Sequence, residues 1–96
     1  MYTLFIDTHY TKLQLVLFKD GKVFDERIKL EGKHSEYFIP LLQDLMQKNK
    51  ITFSELSGII VVNGPGSFTG VRLGVVVAKL ISYCENIPVK AISYLQ

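Results

Sequence analysis

The chain has 96 residues, a formal net charge of +2 and 48% hydrophobic residues, which is typical of one folded domain rather than of a disordered segment. Charged residues form no block of one sign, which argues against a surface dedicated to nucleic acid. The single cysteine, Cys84, excludes an intrachain disulfide and fits a reducing compartment. With no basic signal region at its start and no apolar run of about 18 residues, we expect a cytoplasmic protein without a membrane anchor.

The first third of the chain predicts three consecutive strands. Residues 2–7 form a short apolar strand, and residues 12–19 alternate with leucines on one face, which is the period of a half-buried strand. Asp20-Gly21 is typical of a two-residue hairpin turn, so residues 22–30 are expected to return beside the second strand. The more polar alternation of this third strand is typical of a sheet edge, where charge discourages pairing with other chains.

A first helix is predicted over residues 34–50, because apolar residues recur there on one stripe of a helix. That stripe consists of Phe38, Leu41, Leu42, Leu45 and Met46. Ser35 is the candidate N-cap of this helix, and Pro40 is compatible only with a position near the helix start.

The rest of the chain predicts a strand, a second helix and a last strand. An apolar strand is expected over residues 58–63, a helix over residues 67–85, and a strand over residues 89–92 after an Asn-Ile-Pro stop. The order βββαβαβ combines an antiparallel meander with crossover helices. It therefore predicts an α/β domain with a five-stranded mixed sheet covered by helices.

A glycine-rich turn leads into the second helix. Because glycine allows close approach and a helix N-terminus attracts anions, this turn is a candidate phosphate cradle. Together with the end of the first strand it gives the candidate phosphate-binding residues Asp7, Thr8, Gly64, Gly66 and Ser67. The turn lacks the lysine of the Walker phosphate-binding pattern, so a purely structural role for the turn remains the alternative. For Asp7 the alternative is a structural role in which its carboxylate caps backbone N–H groups.

The second helix carries a stripe of small residues spaced four apart: Gly70, Gly74, Ala78 and Ser82. Glycine inside a helix costs about 1 kcal/mol relative to alanine, so these glycines are expected to let another backbone approach closely. That backbone belongs either to the domain's own sheet or to a second chain. Because the helix is apolar on most of its circumference, we expect a partner on its outer side.

Four segments in sequence order resemble the TsaB (YeaZ) family. The run from Gly64 to Gly74 reads Gly-Pro-Gly-Ser-Phe-Thr-Gly-Val-Arg-Leu-Gly and is similar to the family signature nearly residue for residue. The three other segments that resemble the family lie at residues 6–8, 34–42 and 87–95. His9 departs from the family pattern, which usually has serine there.

The resemblance implies an actin-like fold, of the ASKHA or ribonuclease H-like class, in which residues 1–96 are the N-terminal lobe without the family's C-terminal lobe. It implies a non-catalytic subunit that binds the TsaD subunit and, through the complex, the TsaE ATPase. Such a subunit supports threonylcarbamoyl transfer to the adenosine next to the anticodon of tRNA. No cofactor and no strong direct binding to nucleic acid are expected, although binding of a nucleotide at a partner interface stays open. The chain alone is expected to form a homodimer.

The predicted interface combines the two helices, since the family pairs its N-terminal lobe with that of TsaD through helices. Its residues are Ser35, Phe38, Leu42, Gly70, Arg72, Gly74, Ala78 and Ile81. No catalytic residue and no metal site is predicted, because the two histidines, His9 and His34, form no metal-binding motif. Two other functions stay open: a nucleotide-binding phosphotransferase or ATPase fragment that uses Asp7, Thr8 and the glycine-rich turn, and a self-dimerising interaction module.

Overall fold

Five strands form one mixed sheet, and two helices lie on one of its faces. The structure is a computed structural model that describes residues 1–8, 12–30, 34–64 and 69–93, with the backbone alone of residues 34, 35 and 69–71. Its elements in chain order are β1 (Tyr2–Asp7), β2 (Leu13–Lys19), β3 (Lys22–Lys29), α1 (His34–Lys48), a 3-10 turn (Phe53–Glu55), β4 (Leu56–Val62), α2 (Thr69–Glu85) and β5 (Val89–Ile92).

The strands lie in the order β3-β2-β1-β4-β5. β1, β2 and β3 pair antiparallel, whereas β4 is parallel to both β1 and β5. The predicted meander and mixed sheet are therefore confirmed. Asp20 and Gly21 both have positive φ, at 53° and 81°, which is the backbone that a tight hairpin turn between twisted strands requires.

Two details of α1 differ from the prediction. The helix begins at His34, so Ser35 is its second residue rather than its N-cap. Pro40 is the seventh residue of the helix and lies beyond the first turn. Only in the first turn does the missing N–H of proline cost no helix hydrogen bond. The helix continues through it because the apolar stripe on both sides of Pro40 is buried: Phe38 is fully buried and Leu42 is 2% exposed. Packing of the apolar stripe into the core therefore outweighs the cost of placing a proline inside the helix.

One face of the sheet carries the core. Leu4 pairs with Leu17 and Ile59 on the neighbouring strands, and Ile6 pairs with Leu15 and Val61 in the same way. All of these side chains are buried. The helix side chains in the same core cluster are Phe38, Leu42, Leu45 and Met46 from α1, with Ala78 and Ile81 from α2. Both helices therefore cover the same face.

The C-terminus of α2 is fixed by its own turn. Asn86 has φ 56°, which ends the helix, and the Ile87 N–H donates to the Ser82 carbonyl at 3.1 Å. The Ser82 hydroxyl donates to the Ile87 carbonyl. The Ile59 N–H then donates to the Pro88 carbonyl at 3.0 Å, which ties the turn to β4. The predicted helix stop at residues 86–88 is confirmed.

A polar network ties the edge strand β3 to α1. Arg27 donates from Nε to Asp44 Oδ2 at 2.8 Å, and its Nη1 lies 2.9 Å from Asp25 Oδ2. The Asn49 side-chain amide donates to the same Asp25 oxygen at 2.9 Å. These bonds to Asn49 and Arg27 hold the pKa of Asp25 below its ordinary value. The carboxylate of Asp25 is thus stabilised by groups that only the folded chain brings together.

We expect acid to remove the contribution of Asp25 to stability. A carboxyl whose pKa is lower in the folded state stabilises the fold above its ordinary pKa of about 4. That contribution is lost as the pH falls through the lowered value. The urea midpoint of Asp25→Asn should therefore change less than that of the wild-type chain between about pH 5 and about pH 2. Asp20→Asn, at an exposed hairpin carboxylate, is the matched control, and equal acid sensitivity in wild type and Asp25→Asn would contradict the role of the network.

Candidate functional site

The candidate site lies at the edge of the sheet where β1 and β4 end beside the start of α2. These strands are parallel, with Ile6 beside Val61, so Asp7 and the segment after Val62 meet at one edge. Gly64 is buried there with φ 138°, a backbone conformation that favours glycine. The structure thus brings Asp7, Thr8 and Gly64, three of the candidate phosphate-binding residues, to the same edge. Gly66 and Ser67 lie outside the described residues.

Asp7 is a buried acid with a charged partner from its own chain. Its side chain is 1% exposed, and the Lys12 ammonium lies 2.9 Å from its Oδ2. The lysine thus compensates the charge of the buried carboxylate within the chain. This ion pair supports the structural alternative for Asp7. Sequence reasoning missed Lys12, although its place directly before the strand that pairs antiparallel with β1 was a usable signal.

Gly74 is the point of closest approach between α2 and β1. A Cβ placed on Gly74 would lie 2.6 Å from Thr8 Oγ1 and 3.3 Å from Ile6 Cγ2, too close for any side chain without a shift. Thr8 and Ile6 are both fully buried, so they have little room to move away. The sequence left open whether the small-residue stripe of α2 packs against the domain's own sheet or against a second chain. At Gly74 it packs against the domain's own sheet.

The residues of the predicted interface differ in how far they are exposed. Five of its eight residues are buried within this chain: Phe38, Leu42, Gly74, Ala78 and Ile81. Phe38 and Leu42 belong to the buried stripe of α1, and Gly74, Ala78 and Ile81 lie on the side of α2 that packs on the sheet, so these residues offer little surface to a partner. Arg72 is exposed, as an interface residue must be. Ser35 and Gly70 lie in the helices, but their side-chain positions are outside the described part of the structure.

The side of α2 that faces away from the sheet carries large exposed apolar residues. Val76, Leu80 and Tyr83 are 60%, 59% and 87% exposed. With the partly buried Leu73 they follow a spacing of three, four and three residues along the helix, which is the spacing of a helix-pairing seam. These four residues are called the outer face of α2. The sequence predicted an apolar outer side but not which residues form it.

Other kinds of site receive no support from the described residues. Within residues 1–8, 12–30, 34–64 and 69–93, no three histidine, cysteine or acidic side chains gather as metal ligands would. In the same ranges, no helix has both the length and the apolar character to cross a membrane.

Comparison with protein families identifies the relatives of this chain. The family model for TsaD, tRNA N6-adenosine threonylcarbamoyltransferase, matches residues 29–96. The tRNA threonylcarbamoyladenosine biosynthesis protein TsaB of Bacillus subtilis is 37% identical over 97 residues, which cover 100% of this chain and 42% of the relative. The protein of the same name in Escherichia coli is 28% identical, over 99% of this chain and 41% of the relative. This chain thus spans less than half the length of these curated relatives.

Solved structures show the same fold. YeaZ from Pseudomonas aeruginosa superposes with a TM-score of 0.87 at 26% identity, over 97% of this chain and 45% of that one. RuvC from Thermus thermophilus superposes with a TM-score of 0.62 at 10% identity, over 99% of this chain and 66% of that one, which is a likeness of fold alone. The predicted actin-like, ribonuclease H-like α/β fold is confirmed.

Adding a methyl group at position 74 should destabilise the fold. Gly74→Ala gains about 1 kcal/mol of helix propensity but forces the new Cβ against Thr8, at a cost of about 1–3 kcal/mol. We expect a net loss in the free energy of unfolding, measured by urea denaturation. In a Thr8→Ala background the same substitution should cost less, because Oγ1 is gone. Equal costs in the two backgrounds would show that the two residues are not coupled.

Proposed function

The chain belongs to the TsaB/YeaZ family, and from that membership we propose that it is an accessory subunit in the biosynthesis of threonylcarbamoyladenosine in tRNA. The observation that carries this proposal is the 37% identity over the whole chain to a relative named for that pathway. The product of the pathway is a modified adenosine next to the anticodon. The proposed location is the cytoplasm, where tRNA is modified.

The proposed partner is a TsaD-type transferase, with the TsaE ATPase joining through the complex. The outer face of α2 supports this assignment, since Val76, Leu80 and Tyr83 expose a seam with the spacing that pairs helices. The exposed basic residues Arg72 and Lys79 lie beside this seam on the same helix. A partner helix with an apolar stripe and acidic flanks would match both features.

The proposed role of the chain is non-catalytic. An actin-like enzyme needs an acid near the end of β1 that is available to a magnesium–phosphate group. Here Asp7 is 1% exposed and lies 2.9 Å from the ammonium of Lys12, which supports a structural use of this acid. The net charge of +2, spread along the chain, also supports contact with tRNA through partners rather than by strong direct binding.

Replacing Leu80 with glutamate should disrupt the transferase complex. The substitution places a charge in the middle of the apolar seam, so we expect the dissociation constant for the TsaD subunit of the same organism to rise at least about tenfold. Binding is measured by calorimetry, and folding is checked by circular dichroism. Leu30→Glu is the matched control, because Leu30 is 65% exposed at the end of β3 and Leu80 is 59% exposed.

The two variants separate the proposed function from the proposed surface. Loss of binding in Leu80→Glu but not in Leu30→Glu supports both. If both variants bind the TsaD subunit as tightly as the wild-type chain does, the interface does not include the outer face of α2. The proposed role as an accessory subunit would then still hold. A wild-type chain that does not bind the transferase would overturn the accessory-subunit proposal for this chain.

Nucleotide binding tests the non-catalytic role directly. Because Lys12 holds Asp7, we expect no heat of binding when ATP and Mg²⁺ are titrated into the chain at millimolar concentration. Heat that disappears in Asp7→Asn, with folding intact, would instead identify a nucleotide site at the edge of β1. That result would favour the phosphotransferase alternative.

A further inference from the structure

Asp7 lies at the end of β1, where an actin-like enzyme uses an acid to hold a magnesium–phosphate group. A carboxylate is the kind of oxygen ligand that Mg²⁺ takes, so the residue type fits such an ion. The charge beside it does not fit, because the Lys12 ammonium lies 2.9 Å from Asp7 Oδ2. Two positive ions on one carboxylate repel each other strongly in a buried site. This chain therefore departs from the cation site that its fold class implies.

The strand register explains how Lys12 reaches this acid. β1 and β2 pair antiparallel, with Ile6 beside Leu15 and Asp7 beside Gln14. Side chains alternate between the two faces of a sheet, so Lys12, two residues before Gln14, lies on the same face as Asp7. A diagonal neighbour across two antiparallel strands is within reach of a long side chain. The ion pair thus follows from the pairing of β1 with β2.

The two side chains of this ion pair differ in burial. The Asp7 side chain is 1% exposed, whereas that of Lys12 is 28% exposed. A buried carboxylate needs a positive charge close to it, since removing one partner of a buried pair leaves an uncompensated charge and is strongly destabilising. A cation bound from solvent would supply that charge only when the ion is present. Lys12 supplies it from the same chain, so the compensation needs no ligand.

We propose that Lys12 is an internal counter-ion that takes the place of a divalent cation at Asp7. Its ammonium compensates the buried carboxylate and, by charge repulsion, excludes Mg²⁺ from it. The stability of the domain is then independent of divalent cations. This inference goes beyond the proposed function, because it assigns to Lys12 a role that holds whether or not the chain binds a transferase.

Removing the ammonium should make the stability of the fold depend on Mg²⁺. Lys12→Met keeps an unbranched side chain without the charge, and its melting temperature in the presence of a chelator should fall by at least about 10 °C. Mg²⁺ at about 10 mM and constant ionic strength should restore at least about 5 °C, because an ion that binds only the folded state stabilises it. The same ion should change the melting temperature of the wild-type chain by less than about 1 °C. Lys12→Gln, which keeps an N–H donor for the carboxylate, is the second variant and should respond in the same direction.

Two controls assign the effect of Mg²⁺ to Asp7. The double variant Asp7→Asn/Lys12→Met carries neither charge of the pair, so Mg²⁺ should leave its melting temperature unchanged. Lys48→Met, at an exposed lysine of α1, should behave as the wild-type chain does. The proposal is overturned if Mg²⁺ stabilises neither Lys12→Met nor Lys12→Gln, or if it stabilises the wild-type chain or the double variant as much as Lys12→Met. Because no transferase is present in this experiment, either result leaves the proposed function unaffected.

Discussion

The close approach of α2 to β1 at Gly74 sets the position of the second helix and, with it, the candidate binding surface on the outer face of α2. The small residues of the stripe let the helix backbone lie against Ile6 and Thr8, both fully buried. Close packing at this line turns Val76, Leu80 and Tyr83 away from the sheet. The glycine therefore serves the domain's own packing, and the surface offered to a partner is the opposite side of the same helix.

The two faces of the sheet differ in how their apolar side chains are buried. On one face α1 and α2 complete a continuous core, and the contacts from Arg27 to Asp25 and Asp44 bind the edge strand to α1. The other face also carries apolar side chains, of which Val16 and Val62 are buried. The outer face of α2 remains exposed in this structure, and its burial calls for a further protein surface.

The sequence alone predicted the elements and their order. Alternation at two residues marked the strands, the apolar stripe marked α1, and the Asp20-Gly21 turn fixed the first hairpin, because these signals depend on neighbours along the chain. The glycine-rich run and three shorter segments were enough to indicate the family. Asp7 at the end of β1 and Gly64 after β4 lie at one edge of the sheet, since parallel strands end together.

Only the tertiary structure decided which surfaces are free. Sequence spacing places Gly74, Ala78 and Ser82 on one stripe but does not say whether a sheet or a partner lies against it. The ion pair between Asp7 and Lys12 joins the end of β1 to the residue before β2, and no local pattern specifies that contact. The sequence by itself determined the elements, their order and the family. The packing of helices on the sheet decided which side chains face protein and which face solvent, because burial depends on contacts between segments far apart in the chain.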